Sequence, residues 1–131
     1  MRAGLDNHRM TRIIPEADKQ RHAYPGTGPE CWRLVFGMHN EESVVVYSTQ
    51  HRGLLETDQR SAGVDSNSPD VVPNADGSYT VFFGPTAPPG KEANWVQTVP
   101  GKGWCVLFRL YGPLEPWFDR TWKPGDIELV K

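Results

Sequence analysis

The sequence has no long apolar run. Nothing in it approaches the roughly 20 consecutive apolar residues of a membrane-spanning helix, and the opening MRAGLDNHRMTRIIPE lacks the apolar centre of a secretion signal. A cytoplasmic protein without a membrane span is the expectation from the chain as given. Charge of one sign is also missing. The formal net charge is -2, with 14 basic and 16 acidic residues interspersed, so no basic stripe is offered to nucleic acid. Cysteine is scarce: Cys31 and Cys105 cannot build a disulfide framework or a structural zinc site alone. Each is expected as a small buried hydrophobe, with a single bridge as the alternative in an oxidising compartment. His8, His22, His39 and His51 fall in separate segments, none at ligand spacing from a second metal-binding side chain. No metal or cofactor is expected. Ser48, Thr49 and Ser78 lack a nucleophile-elbow context. Lys102, within Pro-Gly-Lys-Gly, lacks the spacing and following helix of a phosphate loop.

What the chain does have is turn residues between short apolar runs. With 13 glycines and 12 prolines in 131 residues, it reads as one core built from short strands. CWRLVF (31–36) and SVVVY (43–47) have strand composition, the valine run having both faces covered. Asp76-Gly77 provides the backbone angle for a tight hairpin joining Val71 and Val72 to SYTVFF (78–83), whose Tyr79, Val81 and Phe83 form the core face. NWVQTV (94–99), the turn PGKG and WCVLFRLY (104–111) read as a second hairpin. In its returning strand Trp104, Val106, Phe108 and Leu110 share one face, and Cys105, Leu107, Arg109 and Tyr111 the other.

Elsewhere the pattern is weaker. Residues 59–70 read as a surface loop, GPTAPPG (84–90) as an edge or corner crossing, 112–124 as a loop or one helical turn around Trp117 and Phe118, and 126–130 as a final strand. Residues 11–23 could form a turn or two of helix within a divergent, loosely attached lead-in, 1–42, ahead of a module at 43–131. The expected fold is all-β: an antiparallel, jelly-roll-like β-sandwich with little helix. Four of the five tryptophans lie in residues 91–130, where the core should nucleate.

Candidate ligand-binding residues cluster there too. Arg109 and Tyr111 face away from the Trp104 row, and Glu115, Trp117 and Asp119 follow. Folded over that face, the loop would place a cationic fork, a phenol and two carboxylates around an aromatic floor suited to a sugar, an aromatic acid or another small polar ligand. The competing structural account pairs Arg109 with Glu115 or Asp119 and uses Trp117 to plug the end of the sandwich. Glu115 and Asp119 could also act as acid and base in a small hydrolase or lyase pocket with Arg109 and Tyr111. In a further account, exposed aromatics mark an oligomer face.

The block DGSYTVFFGPTAPPGKEANWVQTVPGKGWCVLFRLYGPLEPWFDRTWKPGDIELV, with SVVVY and LLETDQR upstream, closely resembles the family called domain of unknown function 1214. The resemblance implies a β-rich, jelly-roll-like domain with no assigned general activity. It also implies a bacterial architecture in which this module follows an N-terminal one, domain of unknown function 1254, often in exported proteins. Residues 1–42 depart from the family's usual lead-in, so a truncated member is expected. The functional expectation is a small-molecule or carbohydrate binding or assembly domain that partners an N-terminal module or a second copy of itself.

Overall fold

The computed structural model describes residues 30–37 and 40–130, together with the backbone of His8–Ile13. Eight strands run in the order β1 (His8–Ile13), β2 (Trp32–Phe36), β3 (Glu41–Ser48), β4 (Gly63–Asp65), β5 (Tyr79–Gly84), β6 (Trp95–Gln97), β7 (Trp104–Tyr111) and β8 (Ile127–Leu129). A 3-10 turn, Glu92–Asn94, precedes β6, and one helical turn, α1 (Glu115–Phe118), lies between β7 and β8. The strands form two four-stranded sheets, ordered β1-β7-β3-β4 and β6-β5-β2-β8. This is the all-β sandwich that short strands and many turns implied.

Alternation along β7 and β3 builds the inner layer. These strands pair antiparallel over eight residues, from Glu41 opposite Tyr111 to Ser48 opposite Trp104. Val44, Val46, Trp104, Val106, Phe108 and Leu110 therefore point inward together, and all are buried. Leu34, Phe36, Val81, Phe83, Val96 and Ile127 of the second sheet cover them. Phe83 stacks on Trp104 with centroids 5.3 Å apart, and Phe36 meets Phe108 edge to face at 5.0 Å. Each large apolar side chain so enclosed contributes roughly 1.5–3 kcal/mol. Glu42 also lies within this layer near its end, fully buried, and its carboxylate accepts the Asn40 backbone N–H at 2.8 Å.

The second expected hairpin is not one. The turn at residues 99–102 forms, with Gly101 at φ 83° and the Lys102 N–H donating to the Val99 carbonyl at 3.1 Å. However, β6 lies at the edge of the second sheet, parallel to β5, while β7 is in the first. Turn chemistry reverses the chain but does not choose a partner. Val96 and the Trp104 row are both fully apolar, and setting them on opposite sheets lets them bury each other, which a shared sheet would not. One strand pair of the sandwich is thus parallel.

Two smaller expectations are also corrected. The Asp76-Gly77 turn forms, with Gly77 at φ 85° and its N–H on the Asn74 carbonyl at 3.0 Å, but Val71 and Val72 do not pair as a strand. Both sides of β5 are occupied by β2 and β6, and the Asn94 side chain takes both Val72 backbone groups, at 2.9 and 2.8 Å. Within the expected surface loop 59–70, Gly63–Asp65 forms β4 against β3. Glycine at 63 permits that approach, since a Cβ there would collide with the Val44 carbonyl.

In the lead-in, His8–Ile13 pairs with β7 in register from His8 opposite Tyr111 to Ile13 opposite Val106, and Trp32–Phe36 lies between β5 and β8. The segment considered for helix thus begins in a strand at 11–13, and its remainder, 14–23, lies outside the described residues. Neither cysteine forms a disulfide among the described residues: Cys105 is buried, and partial burial raises the pKa of Cys31.

Phe83→Ala should lower the unfolding free energy by about 3–5 kcal/mol in urea denaturation. Val72→Ala, at a side chain 61% exposed, should stay within about 0.5 kcal/mol. Equal effects of the two would contradict this placement of the core.

Candidate functional site

β7 presents its second row on the outside of the first sheet. Arg109 lies opposite Ser43 there, and Tyr47 opposite Cys105. The Arg109 guanidinium donates a long hydrogen bond, 3.4 Å, to the Tyr47 hydroxyl, and the Tyr111 and Ser43 hydroxyls are 3.3 Å apart. Hydrogen bonding to Tyr111 raises the Arg109 pKa above its ordinary value, outweighing partial desolvation. Hydrogen bonds from Ser43 and Arg109 lower that of Tyr111 against desolvation and the Asp65 carboxylate. The Arg109 Nε is buried without a hydrogen-bond partner among the described residues.

The chain then turns away from this face. Gly112 adopts φ 59°, and the Asn40 amide bridges the carbonyls of Tyr111 and Gly112 at 3.1 and 3.0 Å. α1 follows, with Pro116 in its first turn, and closes through the Asp119 N–H on the Glu115 carbonyl at 2.9 Å. The next residue, Arg120, is left-handed at φ 67°, and the Trp122 N–H returns to the Pro116 carbonyl at 3.0 Å. This path leads the aromatics back to the core edge. Trp122 lies 6.1 Å from Phe108 and 6.2 Å from Trp117, and its indole N–H donates to the Gly37 carbonyl at 3.1 Å.

The five candidate residues therefore occupy two places. Arg109 and Tyr111 meet on the outer face of the first sheet, while Trp117 packs against the core. Glu115 and Asp119 belong to the helical turn, where the Asp119 carboxylate accepts the Thr121 N–H at 3.0 Å and its hydroxyl at 2.7 Å. Around Trp117 is an open cleft of about 450 Å³, lined by Trp117, Phe118, Arg120, Trp122 and Lys123. Among the described residues neither Arg120 nor Lys123 has an ion-pair partner. The sequence signal for this cleft is the alternation of cation and aromatic in Arg-Thr-Trp-Lys after the helical turn, a pattern that the pairing of Glu115 with Asp119 does not include.

Two other concavities are committed to structure. One of about 230 Å³ over the second sheet includes Arg33, which reaches Glu128 at 3.4 Å, and Asn94, whose amide already serves Val72 and Thr80. Another, of about 520 Å³, lies where Gln59 and Gln97 tie residues 58–59 to β6. Among the described residues no three His, Cys, Asp or Glu side chains come together to hold a metal, and no helix is long and apolar enough to cross a membrane.

A family model described as protein of unknown function DUF1214 matches residues 15–115. The chain belongs to this family. The DUF1214 match includes Arg109 and Tyr111 and stops before Trp117 and the rest of the cleft. The fold is similar to that of the VPA0106 protein from Vibrio parahaemolyticus, with a TM-score of 0.73 and 18% identity over 95% of this chain. It also resembles an uncharacterized protein from Burkholderia cenocepacia, with a TM-score of 0.53 and 18% identity over 94% of this chain. At this identity the likeness concerns the fold alone. This DUF1214 chain spans 30% and 29% of those two proteins. Comparison with curated proteins gives no match.

The Tyr111 environment has a pH signature. Because its folded pKa is lowered from 10.0, ionisation should add stability as pH rises through that folded value, reaching its full extent above the unfolded one. Ultraviolet titration of the phenols should show one early step that disappears in Tyr111→Phe and moves up in Ser43→Ala. An unchanged titration in both variants would contradict the hydrogen-bonding account.

Proposed function

We propose that this DUF1214 chain is a small-molecule binding module whose ligand, a sugar ring or an aromatic acid, rests in the cleft against Trp117 and Trp122. The observation that carries this reading is the pair of indoles tilted by 58° at 6.2 Å beside a cavity of about 450 Å³. That volume lies within the range of small-ligand sites. Indole faces attract the apolar faces of rings, and they are held here by packing against the core. Pre-placed walls reduce the ordering cost of binding.

The hydrolase or lyase alternative is less well supported. It needs Glu115 and Asp119 beside the bound ring, but neither lines the cleft, and Asp119 is engaged with Thr121. In the binding reading the module works beside an N-terminal partner module, consistent with its covering under a third of the two solved proteins.

Thermal unfolding with glucose, galacturonate and benzoate tests this directly. At least one ring compound at saturating concentration should raise the midpoint by roughly 4 °C or more. Trp117→Ala should remove the ligand-induced shift, whatever its own effect on the midpoint. No shift with any compound, or a shift that survives Trp117→Ala, would overturn the reading.

A further inference from the structure

The charge and backbone of the same cleft say more about its ligand; the inference rests on the binding reading above. Arg120 follows the helical turn at φ 67°, a left-handed conformation that glycine adopts freely and a residue with a Cβ adopts at a steric cost. The position just past a helix C-terminus is where glycine is most often found. Here the chain carries an arginine, and that arginine lines the aromatic cleft. Arg52 shares the left-handed angle at φ 61° without lining a described cavity, so it is the position of Arg120 in the cleft that matters here.

The electrostatics point the same way. Arg120 and Lys123 are both exposed, both line the cleft, and have no ion-pair partner among the described residues. Neither nearby carboxylate is among the residues that line the cleft, and Asp119 accepts the Thr121 N–H and hydroxyl. Among the described residues the cleft therefore combines aromatic walls with two cations and no lining acid. A guanidinium presents paired donors that match the two oxygens of a carboxylate, and an ammonium adds a second point charge.

We infer that the cleft selects ring-shaped carboxylates, a sugar acid or an aromatic acid, with Arg120 gripping the carboxylate and Lys123 supporting it. The neutral ring contributes stacking on Trp117 and Trp122, and the charge contributes selectivity.

The test compares matched probes on the full chain at low salt, by tryptophan fluorescence: galacturonate against galactose, and benzoate against benzyl alcohol. At least one acid should bind about tenfold or more tightly than its neutral twin. Arg120→Gly and Lys123→Gln should each weaken that acid several-fold while leaving the neutral twin unchanged. Arg120→Gly should also match or exceed the parent in thermal midpoint, because glycine relieves the left-handed strain. Preference for galacturonate alone assigns a sugar acid, and preference for benzoate alone an aromatic acid. If the neutral twins bind as tightly as the acids, or Arg120→Gly leaves acid affinity unchanged, the inference is overturned while the aromatic cleft stands. If no probe binds, or binding survives Trp117→Ala, the inference and the reading beneath it both fall.

Discussion

The structure depends on covering the inner row of β7. Trp104, Val106, Phe108 and Leu110 are buried on one side of a strand that is central in its sheet, between β1 and β3. A single sheet would leave that row in water, so the second sheet supplies Leu34, Phe36, Val81, Phe83 and Val96 to face it. The Phe83–Trp104 stack is the central contact between the layers. The Trp104 indole N–H lies in this interior with no hydrogen-bond partner among the described residues, a polar burial whose cost the surrounding apolar core must offset.

This constraint distributes the remaining residues. Once the Trp104 row points inward, Arg109 must point outward, and it meets Tyr47 and Tyr111 on the outer face of the first sheet. The loop after Tyr111 cannot continue over that face, because Gly112 and the Asn40 clamp turn it back. It instead brings Trp122 to Phe108 at the edge of the core, with Trp117 beside it. The cleft is a by-product of how this edge is closed. Its aromatic walls also pack against the core, while the cations on its rim are exposed.

Much of this was legible in the sequence where local chemistry acts alone. The alternation in WCVLFRLY separated core from surface correctly, and Tyr79, Val81 and Phe83 face inward as their spacing implied. Both turns, at Asp76-Gly77 and Pro100-Gly101, also formed. What their residues did not reveal was which strands the turns would bring together. A PGKG turn fits a hairpin and a crossing between sheets equally well, and only the mutual burial of Val96 and Trp104 decides between them. β4 was missed because three residues are too short for a period to register, and its approach rests on the missing side chain of Gly63.

The candidate site was legible in part for a similar reason. Trp117 was recognised from its aromatic bulk, and Arg109 with Tyr111 from their alternation. Whether the loop lay over the outer face or the core edge depended on Gly112 and on Asn40, residues distant in sequence from Trp117. Arg120 and Lys123 gave little signal, since exposed cations are ordinary and the left-handed angle at Arg120 runs against residue preference.

The most direct measurement follows the indole N–H resonances of all five tryptophans by NMR as galacturonate is added. The account predicts that Trp117 and Trp122 shift together, while Trp104, enclosed between the sheets, stays fixed and exchanges slowly with solvent. A stationary Trp117 and Trp122, or a ligand-dependent Trp104 that exchanges freely, would contradict it.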